Sequence, residues 1–188
     1  MFRSFVLACF CFTTFFYGLN VVGQNSSADV VPRFENSACL IEMRQGENAL
    51  CGFLVVAENR SIKNSPIIRL PIIILKSSNP NPQPVPIVHT LGGPGVTSLR
   101  MGRGRPIFPW LKNRDVIVFE QRGTRFSQPA LECPEVDEAN INSAKQRLNA
   151  KDAKTREMKA AIVCYDRLNK KGINLSAYNS RESAADIE

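Results

Sequence analysis

A glycine-rich turn behind an apolar strand is the part of this chain whose residue types and spacing best suggest chemistry. The stretch is HTLGGPGVTSL, residues 89–99, and it directly follows the apolar residues VPIV. Glycine has no Cβ, so backbone N–H groups near Gly92, Gly93 and Gly95 can approach a ligand oxygen closely. Open α/β folds place their sites at the carboxyl ends of parallel strands, where such a turn would lie. The loop is therefore predicted to hold an anion.

Two kinds of anion suit such a loop. A phosphate is disfavoured because neither G-x-x-x-x-G-K-[ST] nor G-x-G-x-x-G occurs in the chain. The other candidate is the oxyanion that forms during acyl transfer, which backbone N–H groups stabilise. A turn without a ligand is the alternative for an isolated Gly-Gly pair.

A second motif follows at residues 114–133, RDVIVFEQRGTRFSQPALEC. Together with LGGPG it resembles the proline iminopeptidase and tripeptidyl aminopeptidase-like branch of the α/β-hydrolases, which are serine exopeptidases. In that branch a Gly-Gly-Pro-Gly loop precedes a strand that ends in Asp-Gln-Arg-Gly-x-Gly-x-Ser. The residues that match this motif here are Gln121, Arg122, Gly123 and Ser127. The resemblance extends over residues 39–188 and implies that Gly92 and Gly93 form part of an oxyanion hole.

The chain departs from the family pattern at three points. Glu120 stands where the family has Asp, and Arg125 stands where it has the second Gly. His89 lies three residues before Gly92, and it precedes any possible nucleophile, whereas the triad of this fold runs Ser, acid, His. We therefore expect His89 to pack at the end of a strand rather than act as a base.

A nucleophile elbow is missing from these residues, since no G-x-S-x-G occurs. The resemblance thus implies the N-terminal part of a secreted serine hydrolase, an aminopeptidase or tripeptidyl-peptidase-like enzyme that is inactive as this segment. Its nucleophile is expected beyond Glu188, its substrate is a peptide, and no cofactor is expected. The alternatives are an esterase of the same fold and a non-catalytic secreted binding protein from a truncated or degenerate gene. With one His and no Cys-x-x-Cys in the mature chain, we expect no metal site.

The first residues predict secretion. Residues 1–23 combine a basic Arg3, an apolar run over 5–17 and small residues before Gln24, as signal peptides do. A membrane anchor is the rival, but the run is shorter than the ~20 residues that a spanning helix needs. Residues 24–188 would then be the mature chain, and secretion argues against a nucleic-acid partner in spite of the net charge of +7.

Cysteine usage agrees with an oxidising compartment. The signal peptide removes Cys9 and Cys11, which leaves four of the six cysteines. Spacing favours a local bridge between Cys39 and Cys51, which flank a predicted hairpin, LIEMRQGENAL, and then a bridge between Cys133 and Cys164. Unpaired buried thiols are the alternative. Sequons at Asn25, Asn59 and Asn174 predict N-glycosylation.

The elements predict an α/β fold, the first half of an α/β-hydrolase sheet. Strands are predicted over 51–57, 67–75, 87–91 and 115–120, and the last two, continuous apolar runs, are predicted to be parallel. Pro71 predicts an edge or bulged position for the second strand. We expect the strand over 115–120 to lack its next parallel neighbour and so to present an open edge.

A helical insert is predicted after the fourth strand, over about residues 139–172. Met158, Ile162, Tyr165 and Leu168 recur there at helical spacing, among basic residues that we read as a solvated face. Gly172 is predicted to end this helix, and Asn179 to cap the next one with Glu182 three residues on.

Overall fold

The computed structural model describes residues 31–93, 95–102 and 109–188. The predicted signal peptide, Asn25 and Pro94 lie outside these residues. The strands are β1 Arg33–Asn36, β2 Ala49–Ala57, β3 Ile67–Leu75, β4 Ile87–His89 and β5 Val116–Phe119. The helices are α1 Pro134–Lys145, α2 Ala150–Lys170 and α3 Ser180–Ala185, with 3₁₀ turns at Leu99–Gly102, Pro109–Lys112 and Leu175–Ala177.

The five strands form one mixed sheet in the order β1-β2-β3-β5-β4. Among the described strands only β4 and β5 pair in parallel, with Val88 opposite Ile117, in agreement with the parallel character predicted for both. The prediction that residues 115–120 present an open edge is wrong, because β5 is paired on both sides, with β3 and with β4. The outer strand on this side is β4. β5 follows the glycine loop in the sequence and lies in the sheet between β3 and β4, which both precede it.

Pro71 lies in a central strand with continuous pairing to β2, not at the edge or bulged position predicted for it. β3 pairs with β2 along its whole length, but its ladder with β5 begins only at Ile72. The Pro71 carbonyl accepts a hydrogen bond from the Glu120 N–H at 3.0 Å, at the point where β5 ends. The missing proline N–H therefore falls at the end of the β3–β5 ladder, where it removes no interior hydrogen bond.

The segment between Cys39 and Cys51 is a loop, not the predicted hairpin. The antiparallel partner of β2 is β1, a short strand that sequence patterning missed because RFEN contains no run of β-branched residues. The Cys39–Cys51 disulfide itself is present, with a Cα–Cα distance of 5.1 Å. Because of β1, the helical part follows the fifth strand rather than the fourth.

The helical part is an antiparallel pair, α1 and α2. It begins at Pro134, earlier than predicted, and proline suits the first turn of a helix because the N–H it lacks has no partner there. The second disulfide, Cys133–Cys164, joins the start of α1 to α2 with a Cα–Cα distance of 5.5 Å. Gly172 ends the helix at φ +79°, and the Asn179 side chain caps α3 by accepting from the Glu182 N–H, both as predicted.

The sheet is apolar on both faces. One face packs Ile73, Leu75, Val116 and Val118 against Leu99 of the first 3₁₀ turn. The other face, which includes Ile68, Leu70 and Phe119, lies beneath an apolar cavity of about 520 Å³ that the end of the chain also lines. Among the described helices, none has the length and apolarity that crossing a bilayer would require.

Removing the Cys133–Cys164 bridge by a double change to serine should lower the free energy of unfolding by about 3–4 kcal/mol, because the bridge closes a long loop in the unfolded chain. Chemical denaturation of secreted protein measures this. The shorter Cys39–Cys51 loop should cost less when it is opened in the same way. A larger loss at Cys39–Cys51 would contradict the loop-closure reasoning.

Candidate functional site

A cleft of about 750 Å³ opens at the carboxyl ends of β4 and β5. Both sequence motifs reach it: Gly92 and Gly93 on one side, and Gln121, Arg122 and Gly123 on the other. The third wall is the segment that leads into α3. The residues of that wall are Tyr178, Asn179, Ser180, Ser183, Ala184 and Ile187. The structure thus brings together two loops that follow two adjacent parallel strands.

The glycine loop lines one side of this cleft. Gly93 and Gly95 have φ values of +94° and +80°, in the left-handed region that favours glycine. The turn is closed by a hydrogen bond from the Val96 N–H to the Gly93 carbonyl. Among the residues that the structure describes, the N–H groups of Gly92 and Gly93 have no acceptor, and both residues are exposed. Two solvated backbone donors are what a site for an oxyanion requires.

Gln121 fixes the first part of the glycine loop. Its side-chain Nε2 donates to the Leu91 carbonyl and to the Thr90 hydroxyl, each at 2.9 Å. The Leu91 N–H in turn donates to the Ser98 hydroxyl oxygen at 3.0 Å. Both backbone groups of Leu91, its N–H and its carbonyl, are therefore held by side chains, which fixes the chain just before Gly92.

Glu120 fixes the far end of the same loop. Its carboxylate is fully buried, and Oε2 accepts from the Ser98 N–H at 2.8 Å and the Thr97 hydroxyl at 3.0 Å, with a longer contact to the Leu99 N–H. Oε1 accepts from the Thr124 hydroxyl at 2.7 Å and more weakly from the Phe126 N–H. One carboxylate thus joins the loop after β4 to the loop after β5.

Arg122 lines the cleft, but internal acceptors occupy its guanidinium. Nε and Nη2 donate to the two carboxylate oxygens of Asp186, each at 2.7 Å. Nη1 donates to the carbonyls of Glu58 and Ala177. Arg122 therefore anchors α3 and the turn before it to the end of β5, with four of its five N–H donors occupied and Nη2 also 3.6 Å from a carboxylate oxygen of Glu182.

A second arginine completes this anchor. Arg60 donates to Glu182 at 2.6 Å and to Asp186 at 2.7 Å, so two arginines meet two carboxylates. Burial opposes ionisation of Glu182, but the hydrogen bonds from Arg60 and the charge of Arg122 outweigh it and hold the pKa of Glu182 below its ordinary value. We call these four side chains the α3 anchor.

Two neighbouring groups extend the anchor beneath the cleft. The buried Glu58 accepts from the Tyr178 hydroxyl at 3.0 Å and from the Asn174 N–H. Burial and the charge of Glu58 raise the pKa of Tyr178, so this hydroxyl stays protonated and remains a donor. The wall of the cleft that carries Tyr178 is thereby fixed.

The remaining residues of the second motif have structural roles. Gly123 has φ +77°, and a Cβ there would lie 3.0 Å from side-chain atoms of Leu131 and Tyr178, so the position needs glycine. Ser127 is buried and donates to the carbonyls of Thr124 and Pro129, away from the cleft. Arg125 does not adopt a positive φ, so this position of the turn does not require glycine.

The other predicted site residues lie apart from the cleft. His89 is the last residue of β4 and is not among the residues that line it. Asn59 and Asn174 lie in loops, and each accepts through Oδ1 from the N–H of the serine two residues on. Within the described part of the chain, no cluster of three His, Cys, Asp or Glu side chains could hold a metal ion.

Sequence reasoning missed the partners that hold the site. Thr97 and Ser98 carry no motif signal, and the Arg122–Asp186 pair joins residues far apart in the chain. One feature of the sequence could have predicted that Glu120 is buried, namely its position directly after a continuous apolar strand.

Comparison with known proteins does not place the chain: no protein-family model matches it, and no curated protein does. The geometry of the cleft therefore carries the functional argument.

Changing Glu120 to Gln should lower the free energy of unfolding by about 2–4 kcal/mol, because an amide presents N–H groups to donors that the carboxylate now satisfies. Urea denaturation measures the loss. Glu138→Gln, at an exposed position of α1, should stay within about 0.5 kcal/mol of the parent. Equal effects of the two changes would show that the buried carboxylate does not hold the loops together.

Acid should weaken the α3 anchor. Because folding lowers the pKa of Glu182, the stability that this group contributes is present above its ordinary value of 4.5 and is lost as pH falls through the lower folded value. Denaturation curves between about pH 6 and about pH 3 should show a steeper loss for the parent than for Glu182→Gln. Parallel curves would contradict this assignment.

Proposed function

We propose that this chain is the N-terminal part of a secreted serine hydrolase of the α/β-hydrolase fold, and that the cleft is its acyl-transfer site. The observation that carries the proposal is the pair of exposed N–H groups at Gly92 and Gly93, which have no internal acceptor among the described residues. They lie at the carboxyl end of a parallel strand, where α/β folds place their sites. An oxyanion is the ligand that such donors suit best.

In this proposal the nucleophile comes from residues beyond Glu188. These 188 residues contain no G-x-S-x-G, and the serines on the cleft wall, Ser180 and Ser183, lie at the start of α3 without a preceding strand. β4 pairs with β5 on one side only, so its other edge can receive a further parallel strand. We assign that edge to the strand that carries the nucleophile, which would bring the serine to the glycine loop.

The division of labour follows from this arrangement. The serine attacks the scissile carbonyl, a histidine held by a carboxylate takes its proton, and the N–H groups of the glycine loop stabilise the oxyanion. Gln121 and Glu120 hold those donors in place. The resemblance of LGGPG and EQRG to the exopeptidase branch favours a peptide substrate over an ester.

Secretion is supported by the two disulfides, which form and persist in oxidising compartments. The sequons at Asn59 and Asn174 lie in loops, where glycosylation would meet no helix or strand. The N-terminal signal peptide and glycosylation at these positions are part of the proposal.

The test is the complete reading frame, expressed in secreting cells and assayed with aminoacyl and tripeptidyl reporter substrates. Changing Gly93 to Val should lower kcat by about 10² or more, because the branched side chain forces the backbone out of the left-handed region and displaces the donors. Gly46→Val is the matched control, since Gly46 also has a positive φ, +86°, but lies in the loop between Cys39 and Cys51, away from the cleft. Its kcat should match that of the parent.

Labelling with a serine-reactive fluorophosphonate checks the nucleophile. The complete protein should be labelled stoichiometrically, and residues 24–188 alone should not be labelled. A stop codon directly after Glu188 would instead favour the non-catalytic binding protein. Hydrolysis of simple esters without any peptide cleavage would favour the esterase.

A further inference from the structure

We propose that an exposed apolar stripe on α2 is a docking surface for an acidic amphipathic helix of a partner protein. The stripe consists of Met158, Ile162 and Tyr165, and we call it the α2 stripe. None of these residues lines the cleft. The proposal therefore does not depend on the proposed function.

The α2 stripe lies on the outer side of its helix. Met158, Ile162 and Tyr165 are 52%, 57% and 56% exposed, although all three are large and apolar in their main part. The buried side of α2 consists instead of Cys164 and Leu168. Because all three side chains are more than half exposed, no described part of the chain covers the stripe.

The spacing of the stripe suits one helix. Its members follow one another at four and then three residues, which is the spacing of apolar positions in helix–helix seams. At about 100° per residue they fall within about 60° of one another, along about 10 Å of the helix axis. A helix that lies on a bilayer presents a wider apolar face, so the narrow stripe favours a helical partner over a lipid surface.

The charge around the stripe determines the chemistry of the partner. Residues 143–171 hold nine basic and three acidic residues. Lys151 and Lys154 lie on the same side of the helix as the stripe, and Lys159 and Asp166 both border it, so three positive charges and one negative charge give these positions a net charge of +2. Lys154 contacts Glu157 at 3.2 Å, an exposed pair that contributes little and can exchange. Two copies of this face would repel each other, whereas a helix with glutamates beside its apolar residues would be attracted.

The experiment uses the secreted full chain and a synthetic helical peptide that has leucines at heptad positions a and d and glutamates at e and g. The peptide should bind, and its affinity should fall as the salt concentration rises from about 50 mM to about 500 mM. Ile162→Glu should weaken binding by about tenfold or more. Circular dichroism should show unchanged helix content in this variant, since glutamate is a good helix former.

Val163→Glu is the matched control. Val163 is 56% exposed and is the next residue in the chain, but it lies about 130° around the helix from the centre of the stripe. Its variant should bind within about twofold of the parent.

Four outcomes would overturn the proposal. The first is that the acidic peptide does not bind, and the second is that Ile162→Glu and Val163→Glu weaken binding equally. The third is that a peptide with lysines in place of the glutamates binds equally well. The fourth is that something other than an acidic helix occupies the α2 stripe. A second copy would be that occupant if the chain sediments as a dimer that Ile162→Glu dissociates. A lipid surface would be the occupant if phosphatidylserine vesicles, and not the peptide, bind in an Ile162-dependent way.

Discussion

The buried carboxylate of Glu120 is the interaction on which the candidate site depends. A charge with no solvent contact costs several kcal/mol unless hydrogen bonds replace its hydration. Five donors surround this carboxylate, three from residues 97–99 and two from Thr124 and Phe126. Those donors belong to the loops after two different strands. The cost of burying the charge is therefore offset only when both loops are in place, and this couples the glycine loop to the rest of the sheet.

The sheet and α3 are joined by the same kind of constraint. Arg122 and Arg60 bring two positive charges to Glu182 and Asp186, which balances the charges in a region with little water. Arg122 also satisfies carbonyls of Glu58 and Ala177, so three segments meet at one guanidinium. The planar fork of arginine suits this role, since it offers five N–H donors in a fixed geometry. The wall of the cleft that carries Tyr178 depends on this anchor.

The α1–α2 pair stands apart from this network. It is held by the Cys133–Cys164 bridge and by an ion pair between Arg167 and Glu135, with few contacts to the sheet. The apolar residues of α2 consequently differ in exposure: Leu168 is buried, and the α2 stripe is exposed. In the described part of the chain the α2 stripe and the cleft are therefore separate surfaces, and the two proposals made for them can be tested separately.

The sequence by itself determined the local features of this protein. Continuous apolar runs predicted β2, β3, β4 and β5, Gly172 and Asn179 predicted helix ends, and spacing predicted both disulfides, because each of these depends on residues close in the chain. The two motifs also singled out Gly92, Gly93 and Gln121, which the structure places along one cleft.

Tertiary structure decided what depends on distant residues. It placed β5 inside the sheet and Pro71 in a central strand, since strand order follows from pairing over long separations and not from patterning. It also turned Arg122 and Ser127 from candidate site residues into structural ones, because their acceptors lie at positions that no motif names. Whether a polar side chain serves a substrate or the fold is set by which groups surround it, and that is known only once the chain is folded.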